Sequence, residues 1–430
     1  MIKNLVEMFK NSDIRNRILF TLAMLFIFRL GSAIPAPGVD ISALSAGIAD
    51  NTLINMMNLL GGGSFQQMSV FALGVGPYIT ASIVIQLLSM DIIPALTELT
   101  KSGHHGRQKI DRITRYLTVI LAFVQAFTLS QVFGSETMPI LENPSIAGYL
   151  FVSTILTAGT MFLLWIGDRI TQFGIGNGIS MIIFAGIVSS LPNQFMQVYS
   201  ILVAGAEGSA MVNGMLLFAL YVVMYLAIIV LVVFMQKAVR KIPIQYTSSA
   251  QVRNRKDISF LPLKVNSAGV IPVIFASALL QAPQILLSFF PTNGILSTIK
   301  TVFDLQTVWG ITIYGILIVL FTFFYVNLQV DPNKIAENLN KSGTYVPGIR
   351  PGKDTEGYLY KVINRITVLG AFFLLIIALI PYILPMVTTL PNTVALGGTG
   401  IIIVVGVALD TTTQLRSQLS QKEYKGFVNK

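Results

Sequence analysis

The side chains that most often carry catalysis or bind metals are scarce in this chain. Its 430 residues include no cysteine, and the two histidines, His104 and His105, are adjacent in a polar stretch. Without cysteine there is no disulfide, no thiolate ligand and no thiol nucleophile. Two adjacent histidines lack the spacing of metal ligands. We therefore expect no metal and no cofactor.

Two local patterns could suggest enzyme chemistry, but the sequence around them does not support an enzyme site. FGIGNGIS (173–180) has the close glycines of a dinucleotide loop, but it opens an apolar span and not a strand–turn–helix unit. Asp168 and Arg169 are neighbours at the end of another apolar run, where pairing with each other is the simplest interpretation. The sequence has no His-Glu-x-x-His string, as a zinc protease helix would need. We expect that the chain is not an enzyme.

The elements that carry these residues are built for lipid. Hydrophobic residues make up 53% of the chain and charged residues 11%, whereas soluble domains have about 25% charged residues. A transmembrane helix needs about 20 consecutive apolar residues. By this criterion we predict ten spans, at 17–35, 69–90, 113–133, 148–167, 178–198, 212–235, 268–289, 308–328, 362–385 and 393–413.

The segments between these spans alternate in charge. Basic residues collect on one side, and the other side is acidic except for Lys300. Because basic loops stay in the cytoplasm, this pattern predicts a multi-pass membrane protein with both termini cytoplasmic. The net charge of +10 then belongs mainly to one face, which attracts anionic lipid, acidic proteins or RNA. The basic side carries Lys3, Lys10, Arg15, Arg17, Lys101, Arg107, Lys109, Lys334, Lys341, Arg350, Lys353, Lys361, Arg416, Lys422, Lys425 and Lys430, besides the loop described next.

Residues 240–267, RKIPIQYTSSAQVRNRKDISFLPLKVNS, form a long basic loop that is not helical in pattern. One acid, Asp257, offsets six basic residues, and a second long loop occupies about 329–361. Helix–helix connections are usually about 2–8 residues long, so both loops suggest a function such as docking a large cytoplasmic partner. Membrane topology alone would also explain their charge. The six basic residues are Arg240, Lys241, Arg253, Arg255, Lys256 and Lys264.

Ten spans divide into two sets of five, and an odd number per set makes the second set enter the membrane from the opposite side. This is the arithmetic of an inverted repeat. The predicted fold is an all-α polytopic membrane protein with two inverted five-helix halves. The predicted parts are a cytoplasmic N-terminal segment (1–16), an N-terminal half (17–198), a C-terminal half (199–413, with loops at about 236–267 and 329–361) and a cytoplasmic tail (414–430).

One apolar segment, INMMNLLGGGSFQQM at 54–68, is too short to cross the membrane and is broken by three glycines. We interpret it as a re-entrant or movable stopper buried against protein. An interfacial helix on the outer surface is the alternative. The stopper comprises Asn55, Met56, Met57, Asn58, Leu59, Leu60, Gly61, Gly62, Gly63, Ser64 and Phe65.

The predicted membrane interior has almost no ionisable residues, although ion- and proton-coupled carriers keep them there. What remains is a path of aliphatic and small polar groups. Val75, Ile79, Ser82 and Gln86 share one face of the second span. Packing between helices is one explanation of the two polar residues. A polar-lined seam that opens sideways is the other.

Several long strings resemble one family. IPAPGVD (34–40), FALGVGPYITASIVIQLL (71–88), GIGNGISMIIFAGIV (174–188), LPLKVNSAGVIP (261–272) and VPGIRPG (346–352) closely resemble the SecY family of bacterial protein-conducting channels. The resemblance runs along essentially the whole chain. It implies a clamshell of two halves, a plug at about 54–65, and a lateral gate that includes Ser82 and Gln86. It places the central pore ring on Val75, Ile79, Ile183, Ile274 and Ile403.

The resemblance also implies a function and partners. Signal-bearing secretory chains would cross the plasma membrane through the centre, and membrane segments would leave sideways into lipid. The pore would be passive, driven by the SecA motor ATPase or the ribosome, with SecE and SecG as small membrane subunits. A secondary transporter of a small solute is the alternative, which the two basic loops do not favour. The implied docking residues are Arg240, Lys241, Arg253, Arg255, Lys256, Arg350 and Lys353.

Overall fold

The structure is a computed structural model that describes residues 11–39, 68–89, 92–133, 141, 145–203, 209–246, 259–287, 294–305, 307–387 and 398–428. These residues form helices and a small sheet. The helices are α1 (Ser12–Ser32), α2 (Gly76–Leu88), α3 (Pro94–Lys101), α4 (Gly103–Phe133), α5 (Ile146–Phe173), α6 (Gly178–Leu202), α7 (Ser209–Lys237), α8 (Ile271–Leu287), α9 (Ile295–Val302), α10 (Val308–Gln329), α11 (Pro332–Lys341), α12 (Lys353–Val387) and α13 (Gly398–Val428). The strands are β1 (Val239–Tyr246), β2 (Ser259–Lys264) and β3 (Thr344–Tyr345).

Each of the ten predicted spans corresponds to one helix: α1, α2, α4, α5, α6, α7, α8, α10, α12 and α13. Within the described residues, six helices are long and apolar enough to cross a membrane by length and composition, and α2 and part of α8 are shorter apolar helices. Many large apolar side chains lie exposed on them, among them Leu220, Val230 and Phe234 of α7. Such surfaces are compatible with lipid and not with water.

Polar residues set the helix starts, because the first backbone N–H groups of a helix need acceptors. The side chain of Asn177 accepts from the N–H groups of Ile179 and Ser180 and so begins α6. Ser145 and Thr307 cap α5 and α10 in the same way. The glycine-rich stretch before α6 is therefore a turn between two helices, as its position at the start of a span indicates.

The helices pack into two groups. In the N-terminal group α4 packs with α2 and α5, and α1 packs with α5 and α6; in the C-terminal group α10 packs with α8 and α12, and α7 packs with α13. The groups meet where α6 packs along α13. Gly400 allows that approach, because a Cβ there would lie 3.3 Å from a side-chain carbon of Ile187.

The two long basic loops contribute to one antiparallel sheet with strand order β2-β1-β3. β1 pairs with β2 from Val239 opposite Lys264 to Ile244 opposite Ser259. β1 also pairs with β3, which comes from the second loop, through Gln245 opposite Tyr345. The sequence predicted that the first loop is not helical, but not that a sheet joins the two loops.

Candidate pore constriction, gate and docking surface

Three of the five predicted ring residues are buried together in one cluster. Val75 is 1% exposed, Ile183 7% and Ile403 6%, and all three belong to one hydrophobic cluster. They come from both helical groups: Val75 immediately precedes α2, Ile183 lies on α6 and Ile403 on α13. Ile79, one turn along α2, packs against the same cluster. These residues form a buried apolar cluster where α13 meets the N-terminal group, and we call this cluster the constriction.

The fifth predicted ring residue is placed differently. Ile274, on α8, is half-buried and does not belong to this cluster. Val270, immediately before α8, packs against both the constriction cluster and the core of the C-terminal group. The resemblance therefore located four of the five positions in one cluster and did not point to Val270.

The predicted stopper, residues 54–65, lies outside the described residues. The chain is described again from Met68, and residues 70–75 are turns that lead into α2. The span predicted at 69–90 is therefore helical only from Gly76.

One of the two predicted gate residues of α2, Gln86, lies against the C-terminal group. The side chain of Gln86 lies within hydrogen-bonding reach of the hydroxyl of Tyr325 on α10. Ile83 and Leu87 of α2 pack against a cluster that includes Phe275 and Tyr325. Ser82 is half-buried on the same helix. The polar residue Gln86 thus lies on a contact between the two groups and not within one of them.

Sequence reasoning missed the aromatic side of this contact. The ring centroids of Phe275 and Phe321 are 5.5 Å apart, and those of Phe275 and Tyr325 are 6.3 Å apart. These aromatic residues lie in continuous apolar runs of α8 and α10, so the sequence does not distinguish them from residues that face lipid. Their spacing on two helices is visible only in the structure.

Four of the seven predicted docking residues are described, and all four are exposed: Arg240, Lys241, Arg350 and Lys353. Arg350 lies between Gly348 (φ +81°) and Gly352 (φ +101°), conformations that favour glycine. Its carbonyl accepts a 2.8 Å hydrogen bond from the hydroxyl of Thr355. The turn expected around Arg350 is therefore present. Arg253, Arg255 and Lys256 lie outside the described residues.

The two loops are also joined by side chains. The hydroxyl of Tyr345 donates a 3.1 Å hydrogen bond to the side-chain oxygen of Gln245. Beneath the sheet, Ile242 and Leu263 are buried in the cluster that holds Tyr325 and Phe275. One apolar core therefore lies under both the basic surface and the α2 contact.

The prediction that Asp168 pairs with Arg169 is wrong. Asp168 of α5 instead forms a 2.9 Å ion pair with Arg115 of α4. The guanidinium of Arg169 lies 5.5 Å from the ring centroid of Trp165 and 5.9 Å from that of Phe173. Adjacent residues of a helix point about 100° apart, so each charge takes its partner from a different direction.

The part of the chain that the structure describes contains no group of three or more His, Cys, Asp or Glu side chains that could hold a metal ion. The arrangement defines a class of protein: a polytopic membrane protein in which two helical groups meet around an apolar constriction, with a basic sheet outside the helices.

Comparisons with known proteins agree with this class. The family model described as SecY matches residues 69–412. The chain is 45% identical over 433 residues to the protein translocase subunit SecY of Staphylococcus aureus (strain NCTC 8325 / PS 47), covering 99% of both chains. It is also 45% identical over 431 residues to the protein translocase subunit SecY of Bacillus subtilis (strain 168), covering 100% of both chains.

Solved structures show the same fold at lower identity. One, described as "The structure of a protein conducting channel", has a TM-score of 0.63 and 18% identity and covers 94% of this chain and 92% of that one. Sec61 in a canine ribosome-channel complex has a TM-score of 0.61 and 19% identity, with the same coverage. The chain belongs to the SecY family of protein translocase subunits and has the ten-helix clamshell fold of these channels.

Proposed function

We propose that this chain is the channel subunit that passes signal-bearing secretory polypeptides across the bacterial plasma membrane. The observation that supports this function most directly is the apolar constriction of Val75, Ile183 and Ile403, drawn from both helical groups. A narrow apolar ring sheds water when empty, and can close around a passing chain. It therefore limits ion leak without a charged site.

The same channel releases membrane segments sideways into lipid. The contact between α2 and the C-terminal group supports this route, because it consists of a few apolar side chains and one hydrogen bond, between Gln86 and Tyr325. An apolar helix that enters between the groups replaces the burial that Ile83 and Leu87 lose. We assign the lateral gate to this contact.

The exposed basic surface around β1 and Arg350 receives the partner that supplies energy. Arginine fits carboxylates and phosphates in two-point contacts, so an acidic motor surface and ribosomal RNA both suit it. The related Sec61 channel is described in a ribosome complex. We assign SecA and the ribosome to this surface, which we place in the cytoplasm together with both termini, and SecE and SecG as membrane subunits of the complex. The chain itself performs no catalysis.

A single cysteine in this cysteine-free chain tests the function. Ile79→Cys places a thiol beside the constriction, and Ile376→Cys places one on the exposed surface of α12. Both variants are reconstituted with their partner subunits and motor, and given a stalled secretory chain that carries a cysteine. We expect a disulfide at Ile79 that depends on ATP and on the signal sequence, and none from Ile376.

A disulfide pattern that is the same at both positions, or none at Ile79 while the motor is active, contradicts a polypeptide path through the constriction. Transport of a small solute by the chain alone, without a motor, would then become the better explanation.

A further inference from the structure

Residues 68–75, which lead from the undescribed segment into α2, are fixed to the chain that follows α1. We call these residues the strap. Ser69 pairs with Pro35 in an antiparallel bridge. The N–H of Ala36 donates to the carbonyl of Met68 at 2.8 Å, and the N–H of Val70 donates to the carbonyl of Ile34 at 3.1 Å. The beginning of the strap therefore cannot move independently of α1.

The strap is also folded tightly on itself. The N–H groups of Ala72 and Gly74 donate to the carbonyls of Ser69 and Phe71, each at 2.8 Å. The hydroxyl of the fully buried Ser69 accepts from the N–H of Phe71 at 3.2 Å. Each of these bonds constrains the strap, because a buried backbone group that loses its partner costs about 1–3 kcal/mol.

Two glycines on neighbouring helices make room for the strap. A Cβ at Gly159 of α5 would overlap the backbone carbonyl oxygen of Val70, and a Cβ at Gly31 of α1 would overlap the ring of Phe71. The backbone of α5 thus lies directly against the backbone of the strap. Since a backbone carbonyl cannot turn away as a side chain can, the contact at Gly159 leaves no tolerance for a larger residue.

Phe71 attaches the strap to both of these helices through its ring. It is 5% exposed. Its ring is stacked between Phe28 of α1, at 6.3 Å between centroids, and Phe162 of α5, at 5.9 Å. Stacked aromatic pairs contribute about 0.5–1.5 kcal/mol each beyond their burial. The strap ends at Val75, the residue that reaches the constriction.

We propose that the strap is a rigid mount that sets the position of Val75 in the pore ring, with Gly31, Gly159 and Phe71 as positioning residues. The proposal rests on the proposed function, because it concerns how the same constriction is kept closed. The strap then stays in place against α1 and α5. A displaced mount leaves a gap at Val75.

Gly159→Ala tests the mount, because the new methyl group must push Val70 away. We expect ion conductance of the resting channel complex in planar bilayers, without substrate, to rise severalfold, while motor-driven transport of a secretory chain continues. Gly406→Ala is the matched control. It lies on α13, one turn after Ile403, and a Cβ there meets nothing within 4 Å. This control should stay as tight as the wild type.

A second measurement reports the position of residue 75 relative to residue 403. Cysteines at Val75 and Ile403 should form a disulfide more slowly when Gly159→Ala is present. Phe71→Leu keeps an apolar side chain but removes the aromatic stack. If Gly159→Ala does not fold, the resting ion conductance of Phe71→Leu tests the proposal instead, and we expect it to rise. The proposal is wrong if neither Gly159→Ala nor Phe71→Leu raises the resting ion conductance. It is also wrong if Gly406→Ala raises the conductance as much as they do. The proposed function is tested separately, by the crosslink from Ile79.

Discussion

Gln86 of α2 lies within hydrogen-bonding reach of the hydroxyl of Tyr325 on α10, across the contact between the two helical groups. On the same helix, Ile83 and Leu87 pack against the cluster that contains Phe275. The contact therefore combines apolar burial, which an incoming apolar helix can replace, with a polar link that such a helix cannot replace. This difference makes the hydrogen bond a natural point of control for sideways opening.

Tyr325→Phe should make the gate open more readily. The variant keeps the ring beside Phe275 and removes only the hydroxyl. Hydrogen bonds between membrane helices contribute about 0.6–2 kcal/mol, and about 1 kcal/mol corresponds to roughly fivefold in an equilibrium constant. We therefore expect export of substrates with weakly apolar signal sequences to rise roughly fivefold. Export is measured in vesicles, and a substrate with a strongly apolar signal sequence serves as the reference.

Tyr358→Phe is the control for that experiment, since Tyr358 is a half-buried residue of α12. An equal gain with both variants, or no gain with Tyr325→Phe, would show that the bond to Gln86 does not restrain the gate.

Replacing only Arg115 of its ion pair with Asp168 should lower the free energy of unfolding more than replacing both residues. Arg115→Leu leaves the carboxylate without its 2.9 Å partner beside two long apolar helices. We expect the free energy of unfolding to fall by about 1 kcal/mol, because both side chains are partly exposed. The double variant Arg115→Leu/Asp168→Leu should recover part of this loss, because no charge then remains unpaired.

Thermal unfolding in nanodiscs measures both effects. The exposed pair of Lys341 and Glu337, at 2.7 Å on α11, is the control, and its loss should cost less than about 1 kcal/mol. A double variant that is less stable than Arg115→Leu would contradict this expectation. It would show that the unpaired carboxylate is not the cause of the lost stability.

Polar substitutions at the constriction should differ in their effect. Ile183→Ser and Ile403→Ser each place a hydroxyl inside the buried cluster, where it attracts water. We expect a clear increase in resting ion conductance from each. Ile274→Ser should leak less than either, since Ile274 lies outside that cluster. Equal leaks from Ile274→Ser and Ile403→Ser would mean that the resting channel closes around Ile274 as well.

Arg350→Glu should uncouple transport from its energy source while the protein stays folded. Arg350 is exposed, and the turn around it is fixed by two glycines with positive φ. We expect ATP-driven export to fall about tenfold or more, equivalent to about 1.4 kcal/mol of binding. Lys361→Glu makes the same charge change at an exposed position of α12, and should have a smaller effect. Normal export with Arg350→Glu would remove this residue from the docking surface.

The ten membrane helices could be predicted from the sequence because hydropathy is a local property. Each predicted span corresponds to a helix, although the ends differ: α12 begins at Lys353 and not near 362. The start of α2 could not be predicted. Residues 69–75 are as apolar as the helix that follows, and their turns depend on hydrogen bonds to Ile34 and Ala36, more than thirty residues earlier.

Site residues could be predicted where long strings resemble the SecY family. Their contact partners could not be predicted in this way. Val75, Ile79, Ile183 and Ile403 were named from the sequence, and the structure places them in one cluster. The partners of two predicted polar residues were not named: Tyr325 for Gln86 and Arg115 for Asp168. In each case the partner lies on another helix, far away in the sequence.

The class of protein and the number of membrane helices could be predicted from the sequence alone, and so could the side on which positive charge collects. These follow from composition, run length and loop charge, which do not depend on distant residues. Tertiary structure alone decided which residues close the constriction, that Gln245 and Tyr345 join the two basic loops into one sheet, and that Gly159 makes room for the strap. Those features are distances between residues far apart in the chain, and only packing in three dimensions fixes such distances.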